Sequence, residues 1–188
     1  MRALVSAALF CMLAAPMVVA DVLDELAKKN SFAGSFTQRV VGPDGVVIET
    51  ATGHFRLMRP DFFWWQIDSP ERQLLIAAGD TMTQIDWDLE VVAEREITAE
   101  TRSALHWLLA PRPELETAFD IEVSDAGVSL TPVRGDLDFL SIAVSRTDEY
   151  GWILSITDLG YQVLEFSLLE NPAIAVDASG FNVPETPF

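Results

Sequence analysis

The sequence predicts a mainly β fold, an antiparallel meander that curls into a barrel or half-barrel with a few helices laid on it. Three observations carry this. Eleven short runs alternate in polarity with period two, turn residues separate them at short intervals, and the helical patterns are few and far apart. A βαβ sheet would instead interleave a helix with nearly every strand.

The first twenty residues are read separately. Met1-Arg2 is a short positive start, and residues 3–15 are an apolar run broken by Pro16, too short to cross a bilayer as a helix. Val18-Val19-Ala20 offers small residues before Asp21, so residues 1–20 are expected to be a cleaved secretory signal and 21–188 a single domain. Phe10 before Cys11 is too bulky for a lipoprotein signal, so the chain's one cysteine leaves with the leader. The exported chain is then cysteine-free, and neither disulfides nor thiolate metal sites are available to it.

Residues 21–30 read as a short helix. Asp21 caps it, acids fill the first turn and Lys28-Lys29 the last, in keeping with the helix dipole. The period then changes to two. Over 32–40, Phe32, Gly34, Phe36, Gln38 and Val40 share a face. Pro43-Asp44-Gly45 turns the chain, because proline fixes φ and glycine admits a positive one. The returning strand runs to Arg59-Pro60, with Phe55, Leu57 and Arg59 on one face and His54, Arg56 and Met58 on the other. Strand patterns follow at 62–68, 72–78, 81–86 and 91–96.

Residues 98–110 carry Ala104, Leu105, Leu108 and Leu109 at helical spacing, and Pro111 and Pro113 are expected to end that helix, with one more turn over 114–118. Strands resume at 119–124, 128–133, 139–146, 152–158 and 161–169. Asp125-Ala-Gly127, Arg134-Gly-Asp136, Glu149-Tyr-Gly151 and Asp158-Leu-Gly160 serve as turns. The proline-containing tail from Asn171 reads as irregular.

Composition bounds the function. With 12 basic against 29 acidic residues and a net charge of -17, the chain lacks the basic footprint that nucleic acids require and is unsuited to anionic lipid surfaces. No metal-ligand spacing, phosphate-binding glycine loop or nucleophile elbow is present, so the sequence gives no catalytic residue, metal or cofactor to expect. His54 reads as a strand-face residue and His106 as a helix-surface one.

The unusual stretch is Pro60-Asp-Phe-Phe-Trp-Trp-Gln-Ile67, which puts Phe63, Trp65 and Ile67 on one strand face and Phe62 and Trp64 on the other. Two apolar faces mean burial on both sides, or one face lining a cavity.

The ordered motifs resemble the LolA family of periplasmic lipoprotein carriers. Ser31-Phe-Ala-Gly-Ser-Phe-Thr-Gln38 is similar to its opening strand, and Gly53-His-Phe-Arg-Leu-Met-Arg-Pro60 with Phe63 and Trp65 to its arginine–proline–aromatic signature. Leu130-Thr-Pro132, Asp158-Leu-Gly160, Phe166, Asn171, Phe181 and Pro184 resemble its second half. Thr83 and Ile85 stand where the family often has aromatics and Trp87 where a proline is common, which bears on cavity shape and cargo preference.

The resemblance implies an unclosed antiparallel barrel of about eleven strands, covered by a helical lid, around a cavity for acyl chains. It implies cavity contacts from Phe36, Phe55, Leu57, Phe63 and Trp65, and lid contacts from Leu105, Trp107 and Leu108. Arg59 would be a latch to the lid helices. The implied partners are lipoproteins, an inner-membrane lipoprotein-releasing ABC transporter and an outer-membrane lipoprotein acceptor, met in the periplasm by a monomer without a cofactor. Two other readings stand beside it: a periplasmic binder of another amphiphile, such as a glycolipid, and a secreted barrel enzyme with a carboxylate site.

Overall fold

The computed structural model describes residues 21–98, 104–185 and 188; the expected signal segment lies outside them. One sheet of eleven strands organises the molecule: β1 (Ser31–Val41), β2 (Val47–Met58), β3 (Phe62–Ser69), β4 (Gln73–Ala78), β5 (Thr81–Asp86), β6 (Val91–Glu96), β7 (Phe119–Ser124), β8 (Gly127–Pro132), β9 (Phe139–Arg146), β10 (Gly151–Asp158) and β11 (Val163–Glu170). The order is β6-β5-β4-β3-β2-β1-β11-β10-β9-β8-β7, so β6 and β7 are free edges and the barrel stays open between them. Every pairing is antiparallel, and all but one join neighbours in sequence. The exception is β1 against β11, which pairs Phe36 with Leu168 and Val41 with Val163 and joins the two halves.

The sheet curls tightly around its aromatic strands because small residues let the backbone approach. Gly53 faces Phe36 across β1 and β2, and a Cβ there would sit 2.7 Å from the Phe36 ring and 1.9 Å from the Gln66 carbonyl oxygen. Only glycine fits that position.

Three helices lie against the concave side, since their apolar residues join the inner-face cluster: α1 (Val22–Ala27), α2 (Ala104–Trp107) and α3 (Arg112–Ala118). Asp21 caps α1 as expected, accepting from the amides of Leu23 and Asp24 at 2.9 and 3.1 Å. The helix stops at Ala27, with Lys28 as its C-cap, sooner than the residue pattern suggested.

Among its described residues, the helix expected over 98–110 is helical only at Ala104–Trp107. Residues 99–103 lie outside the described set, the described part of α2 ends at Trp107, and residues 108–110 continue as tight turns bonded three residues back. Pro113 ends nothing; it sits in the first turn of α3, where its missing N–H costs nothing.

The described tail is irregular, as expected, except for one short turn. A 3-10 turn, Ala178–Phe181, capped by Asp177, lays Phe181 on the outer face of the sheet. There Phe181 joins Leu74, Ile76 and Ile85, with Phe62, Trp64 and Trp87 around them. The aromatic strand β3 is therefore buried by the core on its inner face and half-covered by the tail on its outer one.

Candidate functional site

Strand alternation places Phe36, Phe55, Leu57, Phe63 and Trp65 inside the half-barrel, all buried, with Phe63 0% exposed. Cross-strand pairing does this directly: Phe55 faces Trp65 and Leu57 faces Phe63. The rings make one stack. Phe36 lies on Trp65 at 4.0 Å between centroids, and Phe63 is parallel to Trp65 at 5.7 Å. Phe166 meets Trp65 edge-on at 5.3 Å. Such geometry adds roughly 0.5–1.5 kcal/mol per pair beyond area burial.

Of the lid residues, Trp107 and Leu108 are buried against this cluster and Leu105 is only partly buried. Trp107 stands edge-on to Phe119 at 4.9 Å. His106 departs from the surface position its spacing suggested. It is buried, and its imidazole stacks on Phe63 at 5.2 Å. The ring turns in toward β3, where Phe63 offers an apolar face to stack on. A cavity of about 260 Å³ opens beside the lid, bordered by Trp107, Ala118, Leu137, Glu114 and Arg134.

Arg59 follows β2 and points back under the helices. Its Nε donates to the Lys29 carbonyl at 3.1 Å, and its Nη2 to those of Leu26 at 3.2 Å and Leu108 at 3.1 Å. Its Nη1 donates to the Leu109 carbonyl and, at 3.5 Å, to that of Ala110. These carbonyls belong to helix ends and turns, where backbone donors run short; the Leu26 carbonyl also accepts from the Lys29 amide at 3.2 Å. One guanidinium, with five donors in a rigid fork, thus gathers the ends of α1 and of the α2 segment. Burial lowers its pKa from the usual value, yet a guanidinium remains charged near neutral pH.

A second tie was not legible in the sequence. Arg112 of α3 reaches Asp21 at 2.8 Å, Asp24 at 3.3 Å and Glu116 at 2.9 Å, binding α3 to the start of α1. Only the i,i+4 pair Arg112–Glu116 left a local trace. Burial works to raise the Asp21 pKa, but the Arg112 hydrogen bond, with its charge and the Leu23 and Asp24 amides, outweighs it and leaves the carboxyl below its usual range. Arg146 of β9 meets Glu25 at 2.9 Å and Lys29 meets Glu170 at 2.8 Å, so α1 is fastened to the sheet by charges as well as by Leu23 and Leu26.

An apolar half-barrel roofed by short helices can shelter an apolar guest, and comparison with known proteins bears on which. The family model described as "Outer membrane lipoprotein carrier protein LolA" matches residues 27–153. The chain belongs to the LolA family. A relative in Cupriavidus necator named outer-membrane lipoprotein carrier protein is 33% identical over 174 residues, covering 83% of this chain and 79% of that one. One of the same name in Proteus mirabilis is 29% identical over 163 residues, covering 86% and 81%. A solved LolA superfamily protein from Nitrosomonas europaea aligns over 88% of this chain and 98% of its own, at 11% identity and a TM-score of 0.49. Within the LolA family match lie Arg59, all five inner-face aromatic and aliphatic candidates, and the three lid residues.

Proposed function

We propose that this protein is a periplasmic carrier that holds the acyl chains of lipoproteins inside the half-barrel and moves them from the inner to the outer membrane. The observation that carries the reading is the family match together with an apolar interior whose roof is pinned by one arginine.

The energetics support such a device. A chain of about fifteen methylenes costs roughly 12 kcal/mol to hold in water, at ~0.8 kcal/mol per CH₂. In this form Phe36, Phe55, Phe63 and Trp65 fill the space with their own rings. Cargo enters when α1 and α2 swing away and acyl chains replace the helix side chains against those rings. Arg59 is the latch, its bonds broken on loading and regained on release. A carrier of this kind needs one membrane protein that loads it, an inner-membrane lipoprotein-releasing ABC transporter, and one that unloads it, an outer-membrane acceptor.

Native mass spectrometry of protein purified from its own periplasm tests the reading. Masses of triacylated protein bound to the chain support it. A free glycolipid or other lipid as the sole guest overturns it in favour of an amphiphile binder.

A further inference from the structure

The end of the sheet away from Arg59 carries a feature that sheltering cargo does not require. β1 ends at Val41, which pairs with both Val47, where β2 begins, and Val163, where β11 begins. The β1–β2 and β10–β11 hairpin tips therefore lie side by side. Twelve-residue β2 separates them from Arg59, a distance of about 40 Å at ~3.3 Å per residue.

Both tips carry exposed apolar residues in or beside their turns. Val46 and Ile48 are each 59% exposed, Leu159 is 60% and Tyr161 68%, with Val47 beside them. Hairpin tips are normally polar, and a contiguous exposed apolar patch marks a contact surface. Tyr161 adds a second observation. Its φ is +59°, the left-handed region that favours glycine, and a bulky residue is strained there. The Asp158 carbonyl and carboxylate hold the turn, accepting from Tyr161, Gly160 and Gln162. A glycine at 161 would relieve the strain, yet an aromatic ring is kept there and pointed to solvent.

Charge selects the occupant. Around the two tips, over residues 39–50 and 155–165, the acids are Asp44, Glu49, Asp158 and Glu165, against Arg39, which is paired with Glu165 at 3.1 Å. A second copy brings the same net charge of -17 and is repelled, as is an anionic bilayer. A membrane-inserting tip also needs cationic residues around its apolar ones, and this rim is acidic. We infer that the paired hairpin tips, Val46–Val47–Ile48 and Leu159–Tyr161, are a docking surface for a partner protein that presents an apolar patch ringed by lysine and arginine. The inference rests on the carrier reading, in which that partner is one of the two membrane proteins the carrier visits.

The test places a benzophenone photocrosslinker at Leu159, and at exposed Ile174 as control, in the full chain. Each is mixed with the purified releasing transporter and with the purified acceptor from the same organism. The expected result is a discrete adduct from position 159 with one of the two, on a peptide flanked by Lys or Arg, falling as salt rises. The pair Ile48→Asp and Tyr161→Asp should lower the yield at least tenfold with acyl-probe affinity unchanged. Tyr161→Gly should raise thermal stability while weakening docking, a combination that a purely structural tyrosine would not give. Equal adducts from position 174, persistence in the Asp variants, flotation with phosphatidylcholine vesicles, or a concentration-dependent dimer through the tips would overturn the inference. A chain that holds cargo but forms no adduct removes the docking surface alone; a chain that holds no acylated cargo removes the carrier reading.

Discussion

Replacing Arg59 by leucine keeps an apolar stem and removes every donor of the latch. The carbonyls of Lys29, Leu108 and Leu109 lose the Arg59 donor, that of Leu26 is left with the Lys29 amide, and the longer contact to Ala110 goes as well. A hydrogen bond from a charged donor is worth about 1.5–3 kcal/mol, so four sum to roughly 6–12 kcal/mol before any correction. Two corrections reduce this. Desolvating the guanidinium costs several kcal/mol that leucine does not incur. Carbonyls at helix ends also accept water once the donor has left. The net loss for the closed state is then about 3 kcal/mol, roughly 150-fold in the closed-to-open ratio. Hydrogen exchange in α1 and α2 measures it directly, and those amides should exchange faster by about that factor. Because the guanidinium stays charged, the effect should be flat between about pH 5 and 9. Arg59→Lys, a flexible point charge in place of a planar fork, should fall between the two. In a two-step assay, loading from inner membrane should proceed but transfer to acceptor should slow, since release no longer regains the latch bonds. Exchange within twofold of wild type and normal transfer would refute the latch, leaving Arg59 as a strand-end residue.

Three further outcomes are expected. Phe63→Glu should weaken binding of a fluorescent fatty-acyl probe by at least tenfold, because an unpaired carboxylate in that stack is costly. Fluorescence titration of a variant shown to be folded checks this, and unchanged affinity counts against an interior binding site. Asp21→Asn keeps a helix cap but loses the Arg112 ion pair. The folded Asp21 pKa lies below its unfolded value of 3.8, so its stabilisation is present above that pH and is lost as pH falls through the folded pKa. Acid unfolding of wild type and variant should therefore converge at low pH and differ by about 1 kcal/mol at neutrality. Phe181→Ala should release the tail, at about 3–5 kcal/mol of lost packing, and expose Phe62, Leu74 and Ile76 to exchange while leaving acyl-probe binding intact.

The strands were legible because alternation and turn chemistry are local. Pro43-Asp44-Gly45 and Asp158-Leu-Gly160 mark their turns with residues that set φ or accept amides. Alternation along 62–67 sorts the aromatics into two faces, and the family signature, not the alternation, marks Phe63 and Trp65 as the inner one. Pairing of β1 with β11 joins residues more than a hundred positions apart, as does the hydrogen bond from Arg56 to the Gly180 carbonyl that helps hold the tail. Nothing local encodes either. The α2 region was misread for a related reason. Leu108, Leu109 and Ala110 have the spacing of a helix, but their carbonyls turn toward Arg59, fifty positions away, and Pro111 cannot extend the ladder. The same docking buries His106 on Phe63, where a freely extending helix would have shown it to solvent.

On the proposed reading, a division of labour between the ring stack and the arginine lets a carrier of this design both hold and release. Apolar contacts between lid and stack are non-directional, and an acyl chain replaces them with little loss, so cargo entry is nearly an exchange of one hydrocarbon surface for another. Burying lipid therefore does not by itself decide between open and closed. The Arg59 bonds are different, because no methylene can accept them and they exist only when the carbonyls of α1 and the α2 segment return to within about 3 Å. In the proposed mechanism they bias the empty protein closed by a few kcal/mol without deepening the binding of cargo. A latch of that size is below the gain from sheltering a single acyl chain, so loading proceeds. It is also large enough to be felt once an acceptor begins to take the chains, which makes the empty, latched state the natural end of each transfer.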